Sequence, residues 1–184
     1  MTVFELDKQV VDLRGIRLQG SILDIGGGGE GIISRHSGMQ VIAIDKRRDE
    51  LMESPDIGLK IVMDACDMGF MDGSFDSVTC FFSLMYMREE ELSMALGEAY
   101  RVLKPGGQLL VWDAAMPSNP IADVLLAPLT VIVSDDLTLT PTYGVGWDRG
   151  QSAEYVQRLC LKAGFKPESL SESSASFAIC LIKA

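Results

Sequence analysis

The sequence has a single histidine, His36, and its four cysteines, Cys66, Cys80, Cys160 and Cys180, form no Cys-x-x-Cys pair. Neither a zinc site nor a disulfide framework is indicated, no metal is expected, and buried free thiols are the plain reading. Basic residues are also scarce: 16 Lys and Arg against 26 Asp and Glu leave a net charge of −10. Such a chain repels polyphosphates and anionic lipid at long range, which argues against nucleic acid as a substrate. Long apolar runs are missing too. The most apolar stretch, Ile121 to Val133, is broken by Asp123 and Pro128 and falls short of the roughly 20 residues a membrane-crossing helix requires. Residues 1–10 contain Glu5 and Asp7 and no small-residue cleavage site, so no secretory signal is read there and a cytoplasmic location is expected. What remains, 184 residues with 47% hydrophobic and 23% charged, suits one globular domain over 1–184 with a full core.

The most informative stretch runs Ser21-Ile22-Leu23-Asp24-Ile25-Gly26-Gly27-Gly28-Gly29-Glu30-Gly31 and is followed by Val41-Ile42-Ala43-Ile44-Asp45. Apolar residues before the glycines predict a short buried strand, the glycines a tight loop, and Ile32-Ile33 the start of a helix. A second strand then ends on Asp45, nineteen residues after Gly26, where an acidic residue accepts hydrogen bonds from the two ribose hydroxyls of a nucleoside. A glycine loop before a helix ordinarily suits a pyrophosphate. Here Asp24 and Glu30 carry the wrong sign for that and favour a cation. S-adenosylmethionine offers an adenosine for Asp45 and an ammonium and a sulfonium for the carboxylates. The basic run Lys46-Arg47-Arg48 keeps an NADP-dependent oxidoreductase as an alternative, although Asp45 would repel a 2′-phosphate, and pairing with Asp49 and Glu50 is the simpler use of these cations.

Further along, apolar residues at 3, 4, 6, 10, 11 and 13 recur at helical spacing and predict an amphipathic helix over 3–13. Strands are expected at 40–44, 59–63, 75–82 and 108–113, with helices to Arg35, near 46–53, and from Glu89 to Leu103. Lys104-Pro105-Gly106-Gly107 stops the last of these as a structural connector. A helix from Ser152 to Ala163, capped by Gly164, precedes two strands, Phe165–Leu170 and Ser176–Ile182, arranged as a hairpin. Residues 115–150 form a longer insertion in which 129–133 and 137–140 read as a β-hairpin, followed by Tyr143 and Trp147. The alternation of strand and helix predicts an open, mostly parallel sheet covered on both faces.

Leu23-Asp24-Ile25-Gly26-Gly27-Gly28, Ile44-Asp45, Val62-Met63-Asp64-Ala65, Ser74-Phe75-Asp76-Ser77-Val78 and Arg101-Val102-Leu103-Lys104-Pro105-Gly106-Gly107 stand in the order and spacing of a known family. Over most of its length the chain resembles a class I S-adenosylmethionine-dependent methyltransferase. It departs at Glu30, which occupies the place of the last glycine in that family's first motif, with Gly31 one position later. The resemblance implies a Rossmann-like α/β three-layer sandwich with a seven-stranded, mostly parallel sheet and an antiparallel last strand. It implies S-adenosylmethionine held by Asp24, Gly26, Gly27, Gly28, Asp45, Lys46, Asp64, Ala65, Phe81 and Phe82, with Asp64 at the adenine amino group. Asp64 as a helix N-cap is the structural alternative.

Phe81-Phe82-Ser83-Leu84-Met85-Tyr86 falls where relatives set the methyl group against its acceptor, and it lacks the His or Asn many of them have there. His36 lies at the far end of the first helix, where a surface or capping role is expected. Tyr86 and Asp113 are the candidate catalytic residues, with a structural tyrosine and a satisfied cap or turn residue as the alternatives, and Tyr86, Tyr143 and Trp147 are the candidate substrate contacts. Packing of Tyr143 and Trp147 onto the domain, or against a second copy in a homodimer, is the alternative. The expected partner is a small-molecule methyl acceptor. Transfer from a sulfonium is an in-line displacement with a good leaving group, so alignment and dehydration can supply the rate without a strong base. A cofactor-binding regulatory or scaffold subunit, with the apolar 121–133 segment as its partner surface, is the non-enzymatic alternative.

Overall fold

A computed structural model describes residues 1–184. In chain order it contains β1 (Val3–Glu5), β2 (Gln9–Asp12), β3 (Ile22–Ile25), α1 (Ile32–Ser37), β4 (Val41–Asp45), α2 (Arg48–Glu53), β5 (Leu59–Val62) and β6 (Phe75–Phe81). There follow α3 (Glu89–Val102), β7 (Leu103–Ala114), β8 (Val124–Ser134), β9 (Leu137–Leu139), β10 (Thr142–Gly146), α4 (Ala153–Ala163), β11 (Phe165–Glu172) and β12 (Ser176–Lys183).

Seven strands form the central sheet in the order β11-β12-β7-β6-β3-β4-β5. The strands from β5 to β7 are parallel, and β12 enters antiparallel between β7 and β11. The seven-stranded α/β architecture is as expected. The middle strands are apolar on both sides because both faces are covered. Leu23, Ile25, Val78, Cys80, Leu109 and Val111 point to a cluster with α3 and α4, while Ile22, Phe81, Leu110 and Trp112 point the other way. That period of two is the pleat of a strand.

Helix α3 begins with three glutamates that complement its dipole, and the Glu91 carboxylate accepts from the Arg88 backbone N–H at 2.8 Å. Its buried stripe, Leu92, Ala95, Leu96, Ala99 and Val102, faces the sheet. Ser152 caps α4 by accepting from Tyr155 N at 3.1 Å, and Gly164 ends it in the left-handed conformation.

The opposite face carries α1 and a second, five-stranded sheet rather than a layer of helices. This corrects one expectation. Residues 3–13 are not a helix: β1 and β2 pair in parallel with β8, Val3 opposite Val124 and Gln9 opposite Leu129. The expected hairpin of 129–133 and 137–140 is present as the antiparallel pair β8 and β9, its first strand starting earlier, at Val124, and also pairing antiparallel with β10. Along β8, Leu125, Ala127, Leu129, Val131 and Val133 are buried against the central sheet. One face of the 121–133 segment is therefore core, while its alternate residues, among them Val124, Leu126, Thr130 and Ile132, are half-buried. All four cysteines are free thiols, and no helix is long and apolar enough to cross a membrane.

Candidate active site

A cleft of about 410 Å³ opens at the carboxyl ends of β3, β4, β5 and β6, the position where open α/β sheets bind ligands. Its floor is the glycine loop. Gly26 N and Gly27 N both donate to Ile44 O, at 2.8 and 3.1 Å, and Gly29 N donates to Glu50 O at 2.9 Å. These groups are spent on protein carbonyls, so the loop does not present the open row of N–H donors that cradles a pyrophosphate. Gly26 has φ 73°, and a Cβ there would lie 2.4 Å from Ser83 Cβ. Gly31, also left-handed at φ 57°, makes the turn into α1, packed on Pro55. A glycine is thus present where the turn needs it, and Glu30 lines the cleft.

Seven carboxylates line the cleft against two cations, Lys46 and Arg47. Lys46 Nζ lies 3.6 Å from Glu91 Oε1, and Arg47 pairs with Glu50 at 2.9 Å and with Asp49. The basic run is neutralised by neighbouring acids, which removes its value as a 2′-phosphate pocket and leaves a site that favours a positively charged ligand. Asp24 is buried beneath Gly27, where Thr79 Oγ1 donates to it at 2.7 Å, and burial pushes its pKa up to about 7. Asp45 Oδ1 accepts from Arg47 N at 2.8 Å, while Oδ2 has no protein donor. Asp64 Oδ1 accepts from Cys66 N at 2.8 Å, closing a turn; no helix follows, so it is not an N-cap. Ala65, Phe81 and Phe82 line the same cleft. An adenosine with a cationic tail suits this donor set: a free carboxylate oxygen for the ribose, Asp64 and Ala65 beyond it, and acids around the tail.

The other end of the cleft is aromatic. Phe82, fully buried, sits at φ 49°, a costly conformation for a bulky residue. Its N–H donates to Trp112 O at 2.7 Å, and its ring stacks on Tyr143 with centroids 5.5 Å apart and planes at 21°. Tyr143 comes from β10, so the second sheet supplies one wall. Tyr86 supplies another, from a single 3-10 turn at Leu84–Tyr86. Burial and nearby acids raise the Tyr86 pKa above its ordinary value.

Two expected site residues lie elsewhere. Asp113 is wholly buried and does not line the cleft. It accepts from Leu84 N (2.8 Å), Met85 N (3.2 Å), Ala114 N (2.7 Å) and Gln151 Nε2 (3.0 Å), so it holds the Tyr86 turn and cannot reach an acceptor. Burial outweighs these hydrogen bonds and pushes its pKa up to about 7. Trp147 is also core: its Nε1 donates to Pro117 O at 3.0 Å and its ring lies 5.2 Å from Phe4. His36 bonds Leu13 O and Ser37 Oγ, far from any chemistry. Sequence reasoning missed Arg149 and Gln151. The Arg149 guanidinium donates to Leu84 O, Met87 O, Gly150 O and Gln151 Oε1, and with Asp113 it clamps the turn from both polar sides.

Residues 23–111 match the methyltransferase domain family. Among curated proteins, the chain is 31% identical over 127 residues to a ubiquinone/menaquinone biosynthesis C-methyltransferase of Saccharophagus degradans, covering 61% of this chain and 50% of that one. A protein of the same description from Teredinibacter turnerae is 31% identical over 130 residues, covering 63% and 51%. The chain spans about half the length of these relatives. Among solved structures, a SAM-dependent methyltransferase from Methanosarcina mazei superposes with a TM-score of 0.65 at 20% identity, over 91% of this chain and 94% of that one. The [4+2]-cyclase SpnF superposes with a TM-score of 0.66 at 18% identity, over 92% and 77%. The family match thus covers residues 23–111, and the likeness to the solved structures shows the Rossmann-like fold of S-adenosylmethionine-dependent methyltransferases.

Proposed function

We propose that the chain, acting as one domain, transfers the methyl group of S-adenosylmethionine to a small-molecule acceptor. The observation that carries this is one cleft with two chemically distinct ends: a carboxylate-rich end around the glycine loop and Asp45, and an aromatic end built from Phe82, Tyr86 and Tyr143. Asp45 Oδ2 takes the ribose hydroxyls, Asp64 and Ala65 border the adenine, and Asp24 with the loop faces the methionine portion. The cofactor supplies the activated methyl group and its leaving group. The chain's part is to exclude water with the Phe82–Tyr143 stack and to hold the acceptor in line, which suffices for large accelerations without a base. A strongly acidic cleft argues against polyanionic substrates such as nucleic acid.

Carbon methylation of a quinol ring, after the name of the curated relatives, is a second reading favoured by the aromatic lining, since a planar ring stacks on Phe82 and Tyr143. The donor is tested by calorimetric titration with S-adenosylmethionine, S-adenosylhomocysteine and NADP, in wild type and Asp45→Ala. Expected are micromolar affinity for the two sulfur compounds, none for NADP, and a loss of at least tenfold in Asp45→Ala, the scale of one hydrogen bond to a charged group, about 1.5–3 kcal/mol. A folded wild type that binds neither sulfur compound refutes the proposal.

A further inference from the structure

Across the central sheet, Leu110 of β7, Thr79 of β6, Asp24 of β3 and Ala43 of β4 stand in one row, opposite one another in register. Thr79 and Asp24 are its two polar members, and both are buried. Thr79 Oγ1 lies 2.7 Å from Asp24 Oδ1 and 3.4 Å from Leu23 O, so its one proton goes to the nearer acceptor, the carboxylate. No other protein group donates to Asp24. Its Oδ2 is left under the glycine loop, where a Cβ on Gly27 would lie 2.6 Å away, and it is not sealed from the cleft. Thr79 itself does not line the cleft.

We propose that Thr79 is a positioning residue for the cofactor: its hydroxyl holds Oδ1 of Asp24 and leaves Oδ2 free for the ammonium of the methionine portion. This rests on the methyltransferase reading, in which Asp24 and the glycine loop face that portion. A hydroxyl that donates to a carboxylate favours its charged form, and here it works against burial, which pushes Asp24 up to about 7. Around Asp24 stand Asp45 from β4, Cys80 from β6, Glu50 from α2, Glu30 from the glycine loop and Tyr143 from β10. Lys46 and Arg47 pair with Glu91, Glu50 and Asp49, and Arg35 of α1 donates to Glu30 O, so no cation is paired with Asp24. Removing the Thr79 hydroxyl therefore raises the Asp24 pKa further. Affinity for an ammonium rises with pH as Asp24 loses its proton, and without Thr79 that rise comes at higher pH.

S-adenosylhomocysteine carries the ammonium, and 5′-methylthioadenosine is the same thionucleoside without it. Both are titrated calorimetrically from pH 6 to pH 8 into wild type, Thr79→Ser, Thr79→Val and Asp24→Asn. For S-adenosylhomocysteine, Thr79→Val is expected to bind about tenfold more weakly than wild type at pH 6 and about twofold more weakly at pH 8, as a rise of about one pH unit in the Asp24 pKa requires. Thr79→Ser, which keeps the hydroxyl, should follow wild type, and Asp24→Asn should lose the rise of affinity with pH. All four proteins should bind 5′-methylthioadenosine alike. A Thr79→Val deficit that is the same at every pH, or equal for the two compounds, overturns the proposal and leaves the methyltransferase reading standing. Where Thr79→Val does not fold, Thr79→Cys, close in size with a weak donor, must show a deficit of the same sign and pH trend, and its absence likewise overturns the proposal. A folded wild type that binds neither compound sinks the methyltransferase reading and the proposal with it.

Discussion

Replacing Arg149 with lysine tests whether the 84–87 turn is held by its hydrogen bonds or only by apolar packing. The guanidinium reaches Leu84 O at 3.1 Å, Met87 O at 2.8 Å, Gly150 O at 3.2 Å and Gln151 Oε1 at 3.1 Å. A lysine ammonium is a single point on a flexible stem and can keep one or two of these four acceptors. Two or three then lose their donor, at about 1–1.5 kcal/mol each, so Arg149→Lys should destabilise the fold by about 2–4 kcal/mol. The loss should also be local. Asp113 still accepts from Leu84 N and Met85 N, but the opposite polar edge of the turn is released. Urea unfolding measures the total, and amide exchange at residues 84–87 measures the local part. Exchange there is expected to speed up by more than the global loss accounts for, with S-adenosylhomocysteine affinity near wild type because Asp45 and the glycine loop are untouched. A global loss below 1 kcal/mol, or exchange at 84–87 that merely follows the rest of the chain, would refute the clamp.

Trp147→Ala should cost about 3–5 kcal/mol in urea unfolding, as for other buried tryptophans, and leave cofactor binding unchanged once the protein is folded; altered cofactor affinity without a stability loss would return Trp147 to the site. The pH dependence follows from Asp24 and Asp113, which burial pushes up to about 7. Because both are raised above the unfolded value of about 3.9, the native state holds more protons between that value and about 7, so stability falls as pH rises through the window. Urea midpoints should therefore decline from pH 5 to pH 8 and decline less in Asp113→Asn, whereas a midpoint that climbs over the same range contradicts the assignment.

Much of the central sheet was legible because its signals are local. Ile22–Ile25 before the glycines, Val41–Asp45 with its terminal acid, and the buried stripe of α3 each declare themselves within a few residues. The placement of Asp24, the glycines, Asp45, Lys46, Asp64, Ala65, Phe81, Phe82, Tyr86 and Tyr143 around one cleft follows from that sheet. The misreadings concern elements defined by distant partners. Val3, Phe4, Leu6, Val10, Val11 and Leu13 satisfy a helical spacing, and only β8 makes strands of them; the alternating burial of Gln9–Asp12 is evident once that partner is present. Asp113 at a strand end resembles a catalytic base until Leu84, Met85, Ala114 and Gln151 are seen to occupy it. Trp147 resembles a pocket wall until Phe4, from the other end of the chain, covers it. Arg149 and Gln151 had no motif to mark them.

The dependence of β1 and β2 on β8 also sets an order of assembly. Val3 waits for Val124, and Gln9 for Leu129, so the earliest strands of the chain are among the last to acquire neighbours. Closing so long a loop is costly until other contacts have shortened it, and pairings of this kind slow folding. The glycine loop, Asp45 and Asp64 all precede β8 and belong to the central sheet, whereas Tyr143 arrives only with β10. During synthesis the carboxylate-rich half of the cleft can therefore take shape while its aromatic wall from β10 is still unmade. Until β8 docks, the face bearing Phe81, Leu110 and Trp112 stands open to water, which makes that interval the one in which a nascent chain most needs protection from its neighbours.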